Sequence, residues 1–153
     1  MITLTDRPFD ATEKLAAFTA RAGGAGAIIS FTGLVRPMSK SGPVSNLFLE
    51  AYSPMTENGI RAAHDDAIRR WPLEAAEIVH RIGDMSPGDA IVFVATASTH
   101  RRAAFEAADF LMDYLKTDAV FWKKETRANG DEVWIEPRNE DYTDRARWDQ
   151  TTG

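Results

Sequence analysis

Apolar residues recur along the chain at two periods, near 3.6 and near 2, and the changes of period mark out the elements. Asp10 followed by Glu13 has the form of a capping box, with Asp in the usual place of Ser or Thr. Leu15, Phe18 and Ala22 then keep helical spacing until Gly23-Gly24 stops the helix. GAIISFTGLVR, 26–36, reads as a buried strand. PMSKSGPVSN, 37–46, reads as a mobile Gly/Pro/Ser loop, and the alternating LFLEAYS after it as a strand. From about Thr56 to Trp71, the residues Ile60, Ala63, Ala67 and Trp71 make one helical stripe, which Pro72 ends.

The second half continues the alternation. AEIVHRIG and AIVFVATAS are two strands joined through the turn SPGD. HRRAAFEAADFLMDYLK is a helix with Phe105, Ala108 and Met112 on one face. VFWKKET and EVWIE flank RANGD, whose Asn129-Gly130 pair is a strong hairpin signal. From Asn139 the chain turns polar and is expected to be loosely held. Hairpins interleaved with helices predict an α+β fold with a mostly antiparallel sheet. The expected organisation is one domain over 1–138 and a polar tail over 139–153.

Composition narrows the function classes. A chain of 153 residues fits one domain and buries roughly 70% of its unfolded surface, so it needs no covalent staple. It has no cysteine, which excludes disulfides, thiolate metal sites and a cysteine nucleophile. That usage fits a reducing cytosol, and the N-terminus has neither the basic nor the apolar region of a secretory signal, so a cytoplasmic location is expected. No apolar run reaches the ~20 residues of a membrane span. The net charge of −5 argues against nucleic acid as a partner. No histidine or carboxylate cluster has metal-ligand spacing, and there is no Walker loop, GxGxxG or GxSxG motif. Neither a metal nor a cofactor is expected. His64 and His80 read as structural.

Against this acidic background a few cations stand out. His100, Arg101 and Arg102 crowd the first turn of the helix that follows Ser98. A helix N-terminus carries about half a positive charge, so each cation there loses roughly 0.3–1 kcal/mol. A bound anion reverses that sign, because free backbone N–H groups and basic side chains then act together. The alternative is a solvated turn whose arginines reach distant carboxylates. Lys116 lies near the C-terminus of the same helix, where a cation is favourable anyway. In the strand that follows, alternation puts Ala119, Phe121 and Lys123 on one face and Val120, Trp122 and Lys124 on the other. One of the two lysines must therefore leave its ammonium beside an apolar face. A partly desolvated lysine has a lowered pKa and can move protons, whereas a snorkelling edge-strand lysine does nothing chemical. Arg36 closes a strand just before the expected loop, a place that suits a phosphate clamp as well as a plain surface arginine.

The segments SFTGLVR, HRIGDMSPGDAIVFVATASTHRRAAFEAADFLMDYLKT and FWKKE resemble the large, catalytic subunits of molybdopterin synthases, the MoaE family. The resemblance runs from about Gly26 to Arg138, in the family's order and spacing. It implies an α+β fold of the α/β-hammerhead type. It also implies a reaction: two sulfurs are added to cyclic pyranopterin monophosphate to make the dithiolene of molybdopterin. Each sulfur arrives as a thiocarboxylate on the C-terminal Gly-Gly of a small ubiquitin-like, MoaD-type subunit. The implied assembly is a heterotetramer built on a homodimer of large subunits.

The resemblance assigns substrate contacts to Leu34, Val35 and Arg36, to His100 and Arg101, to Lys116, and to Lys123, Lys124 and Glu125. Lys116 and Lys123 are the implied catalytic pair, with Lys116 at the thiocarboxylate end and Lys123 at the pterin. Leu34 departs from the family, which often has lysine within FTGKVR. Arg138 is implied as a further basic residue reaching the neighbouring subunit's site. The rival reading is a non-catalytic anion- or nucleotide-binding regulatory module built on the same basic residues. A pure interaction protein, with its lysines as solvated edges, is the third.

Overall fold

The structure is a computed structural model and describes residues 1–40 and 42–150. Its elements in chain order are β1 (Ile2–Thr5), α1 (Ala11–Arg21), β2 (Ala27–Leu34), β3 (Met38–Ser39), β4 (Gly42–Ala51), α2 (Met55–Arg70) and β5 (Leu73–Arg81). They continue with β6 (Gly83–Met85), β7 (Ala90–Ser98), α3 (Arg101–Thr117), β8 (Phe121–Arg127), β9 (Glu132–Ile135), α4 (Asn139–Ala146) and a 3₁₀ turn (Arg147–Gln150).

Two sheets organise these elements. The first has the order β1-β5-β7-β2, parallel only between β1 and β5. Helices cover both of its faces. Alternation in β7 sends Val92 and Val94 toward Ile60, Ala63 and Ala67 of α2 and Leu111 of α3. Phe93, Ala95 and Ala97 point the other way, onto Phe18 of α1. The second sheet runs β3-β4-β8-β9, with β6 also paired to β4, all antiparallel. A small core of Val35, Leu47, Leu49 and Met85, with Ile91 and Phe121 against it, joins the two sheets. The fold is α+β and mostly antiparallel, as the alternation predicts.

Local signals act as expected at several boundaries. Asp10 caps α1, its carboxylate accepting from Thr12 N at 2.8 Å and Glu13 N at 3.3 Å. The β8–β9 hairpin turns at Asn129-Gly130, where Gly130 takes φ 93°, a left-handed conformation costly for other residues.

Four expectations are corrected. The 26–36 segment is an open edge, not a buried strand: β2 ends its sheet, and Ser30, Phe31 and Thr32 are exposed. Apolar content does not distinguish a central strand from an edge awaiting a cover. The expected 37–46 loop is largely a hairpin, with Met38 opposite Pro43 and Ser39 opposite Gly42; Ser41 lies outside the described residues. The buried face of α3 is rotated from the expected stripe. Ala104, Ala107, Ala108 and Leu111 are buried while Phe105 is 56% exposed, because alanines let the helix approach the sheet closely. Residues 139–150 form α4 and the 3₁₀ turn, not a loose segment; 151–153 lie outside the described residues. Trp148 is 8% exposed, packs edge-on against Trp71 and Phe110, and donates its indole N–H to Asp113 at 2.6 Å.

Candidate active site

The space between the two sheets is a cavity of about 320 Å³, continuous in its lining with a neighbouring one of about 470 Å³. Both lobes share Leu34, Arg36, Lys116, Lys123, Glu125, Arg138 and Asp141. His80, Leu49, Phe121 and Met112 line only the first, and Val35, Met38 and Val44 only the second. The polar groups therefore sit at the junction of two apolar-walled recesses, the arrangement of a small-molecule site.

Strand pairing explains which lysine enters. Lys123 lies between Leu49 of β4 and Ile135 of β9 in register, and Glu125 between Leu47 and Val133. These residues share the face that floors the cavity. Lys124 pairs with Phe48 and Trp134 on the opposite face. There its ammonium lies over both rings at 5.5 and 5.6 Å and 3.5 Å from Glu132. The structure thus brings Lys123 and Glu125 into the cavity and leaves Lys124 outside it.

Lys116 enters from the C-terminal end of α3. It keeps contact with solvent at the cavity opening, yet the surrounding protein strips enough hydration to lower its pKa; Arg138 and Arg36 add to the lowering and Asp141 opposes it. Lys123 is also lowered, first by burial and then by the charge of Lys116. Each ammonium is thus closer to giving up its proton than an ordinary lysine. Asp141 is occupied: both oxygens accept from Arg138, through its backbone N–H at 3.0 Å and its guanidinium at 3.1 Å. Burial pushes that carboxyl up, and Arg138 more than offsets this, so the net shift is downward. Arg138 lines the cavity of its own chain.

Val35 is buried and its backbone bonds to Asp89 O and Gly88 N, which fixes the β2 end from which Leu34 and Arg36 project. His100 and Arg101 are exposed at the other end of α3 and do not line either lobe. At 1.5 Å per residue the 17-residue helix holds them ~24 Å from Lys116. One chain does not bring Arg36 and His100 to a shared phosphate. The helix start still has the expected character: no acidic residue lies in the first turn and no side chain caps it.

One cavity residue lacked a sequence signal. His80 of β5 is buried and stacks on Phe121, with ring centroids 4.2 Å apart at 21°. Its Nδ1 lies 3.0 Å from Arg81 O. A carbonyl only accepts, so Nδ1 carries the hydrogen and Nε2 is left as an acceptor. Burial pushes the imidazole pKa down to about 4, with the Lys116 charge adding to the fall and the Arg81 carbonyl opposing it. No cluster of His, Asp and Glu able to hold a metal occurs among the described residues, and no described helix is long and apolar enough to cross a membrane.

Comparison with known proteins matches residues 4–118 to the family model described as MoaE protein. A protein of Caulobacter vibrioides named molybdopterin synthase catalytic subunit is 49% identical over 150 residues, covering 98% of both chains. Among solved structures, the molybdopterin biosynthesis MoaE protein from Burkholderia ambifaria superposes with a TM-score of 0.81, at 42% identity and 97% coverage of each chain. The crystal structure of molybdopterin synthase from Staphylococcus aureus gives 0.77 at 33% identity, covering 87% of this chain and 95% of that one.

Proposed function

This chain belongs to the MoaE protein family, and on that premise we propose that it is the catalytic subunit of a molybdopterin synthase. It transfers sulfur from the thiocarboxylated C-terminus of a small MoaD-type subunit to cyclic pyranopterin monophosphate. The observation that carries this reading is the meeting of Lys116, Lys123 and Arg36 in one apolar-walled cavity, where burial lowers the pKa of both lysines. A cyclic phosphate needs an anion site, and a chain without cysteine needs a partner to carry the sulfur.

The chemistry follows from those charges. Attack by thiocarboxylate sulfur on the pterin builds negative charge on oxygen, and expelling the phosphate oxygen needs a proton. Ammonium groups held in a low-dielectric recess stabilise the first and supply the second. Lys116 serves the thiocarboxylate end and Lys123 the pterin. Arg36 clamps phosphate from the end of β2, with Leu34, Val35 and Glu125 shaping the rest of the substrate recess.

His100 and Arg101 join this site from a second copy of the chain, because ~24 Å of helix separates them from their own Lys116. The open β2 edge, with Phe31 41% and Leu34 54% exposed, supports a homodimer that covers it. A small subunit at each end would complete a heterotetramer. The test is to incubate the protein with thiocarboxylated small subunit and cyclic pyranopterin monophosphate and assay molybdopterin. Formation of the dithiolene product supports the reading, and its absence with both substrates intact removes it.

A further inference from the structure

Sulfur transfer from a thiocarboxylate leaves a problem that the lysines do not solve. Once the sulfur has bonded to the pterin, its other bond still joins it to the acyl carbon of the small subunit's tail. Releasing the tail requires water. The water oxygen bonds to the acyl carbon, the carbon–sulfur bond breaks with its electron pair on sulfur, and one water proton must go to a base. No oxidant or reductant enters.

The cavity offers few bases. Lys116 and Lys123 are needed as cations. Asp141 has both oxygens engaged by Arg138. Glu136 also lines the cavity but is exposed, outside the desolvated part where His80 sits. Glu125 has a buried Oε2 without a hydrogen-bond partner, but it lies four residues along β8 from Phe121, ~13 Å at strand rise. His80 stacks at the Phe121 end. Its Nδ1 is spent on Arg81 O. Its Nε2 makes no hydrogen bond to a described residue, and the ring lines the cavity. Lys116, at the thiocarboxylate end, is the lysine whose charge reaches this ring.

Resting on the function proposed above, we propose that His80 is a further catalytic residue of this site: its Nε2 accepts the proton of the water that cleaves the acyl–sulfur bond and frees the small subunit's tail. The charged groups around the ring's cavity are Lys116 from α3, Lys123 and Glu125 from β8, Arg36 beyond β2, Glu136 just after β9, and Arg138 and Asp141 at the start of α4. Burial, with the Lys116 charge adding to it, keeps the imidazole neutral, so the base form is present throughout the neutral range. An anionic substrate on Lys116 offsets that charge and removes its share of the lowering, while the share due to burial stays. Lys116 can then stabilise the oxyanion formed as water adds.

The test is a rapid-quench single turnover read by intact mass of the small subunit. His80→Asn keeps an N–H for Arg81 O and has no Nε2; His80→Gln offers an acceptor that is not a base. Both should form the small subunit–pterin acyl adduct at a rate within a few-fold of wild type. Its decay should slow ~10²–10⁴-fold. Decay in the wild type should weaken as pH falls and protonates the imidazole. The proposal is overturned if neither variant accumulates adduct, if formation and decay slow equally, or if Glu125→Gln alone accumulates it. Should neither His80 variant fold, a wild-type decay rate flat with falling pH overturns it as well. Wild type yielding neither adduct nor molybdopterin would instead remove the underlying function.

Discussion

Lys116 and Lys123 reach one cavity from two different elements, the end of α3 and the middle of β8, and the charge of the first holds down the pKa of the second. Two ammonium groups share this space, Lys123 partly buried and Lys116 in touch with solvent at its opening, and neither has an ordinary affinity for its proton. Removing one should therefore relax the other. Lys116→Met is expected to raise the Lys123 titration midpoint toward, but not up to, the ordinary 10.5, because burial remains the larger cause. Side-chain NMR of labelled lysine reads this directly. An unchanged Lys123 midpoint would show that the two do not interact.

The proposed completion of the site by a second copy of the chain predicts complementation. Arg101→Ala and Lys116→Ala homodimers should both be inactive or nearly so. A mixed dimer, however, contains one site with Lys116 from one chain and Arg101 from the other. Random reassortment makes half the dimers mixed, each with one intact site, so activity should return to about a quarter of wild type. No recovery on mixing, after exchange is verified by mass, would mean that Arg101 does not act across an interface.

Acid should find His80 before it finds most of the core. The imidazole titrates at about 4 in the folded protein against an ordinary 6.5. Between those values the unfolded chain binds the extra proton, so stability rises with pH across that window and is lost as pH falls through it. The contribution is at most roughly 3 kcal/mol from this group, by the size of the shift. Denaturant titrations of wild type and His80→Asn at pH 7 and pH 4.5 should differ, with a shallower loss in the variant. Parallel losses would mean that the imidazole is not held neutral.

Much of this architecture was legible along the chain, and the failures have a common physical cause. The Asn129-Gly130 turn and the alternation of Phe121, Lys123 and Lys124 are local signals, and both proved accurate. Between Arg36 and Asn46 the Gly/Pro/Ser composition masked a hairpin. Trp148 stands alone in a polar segment, and its partners Trp71, Phe110 and Asp113 are distant in sequence. In α3 the bulky Phe105 suggested the wrong face, since alanines make the close contact. His80 carries no local mark that separates a core histidine from one at a cavity. The resemblance named Lys123 and Lys124 together; alternation puts them on opposite faces, and only strand register shows which face floors the cavity.

The C-terminal helix gives a stability prediction. Trp148→Ala should cost roughly 3 kcal/mol or more, the range for emptying a buried aromatic site, measured by chemical denaturation. A segment that merely trailed from the domain would lose almost nothing.

The most direct measurement is molybdopterin formation by single lysine variants under saturating thiocarboxylated small subunit and pterin substrate. Lys116→Ala and Lys123→Ala, which remove positioned cations from the cavity, should each lose ~10²–10⁴ in rate while melting cooperatively. Lys124→Ala, on the other face of the same strand, should stay within a few-fold of wild type. Activity near wild type in both cavity variants, or a loss in Lys124→Ala as large as in Lys123→Ala, would contradict the site described here.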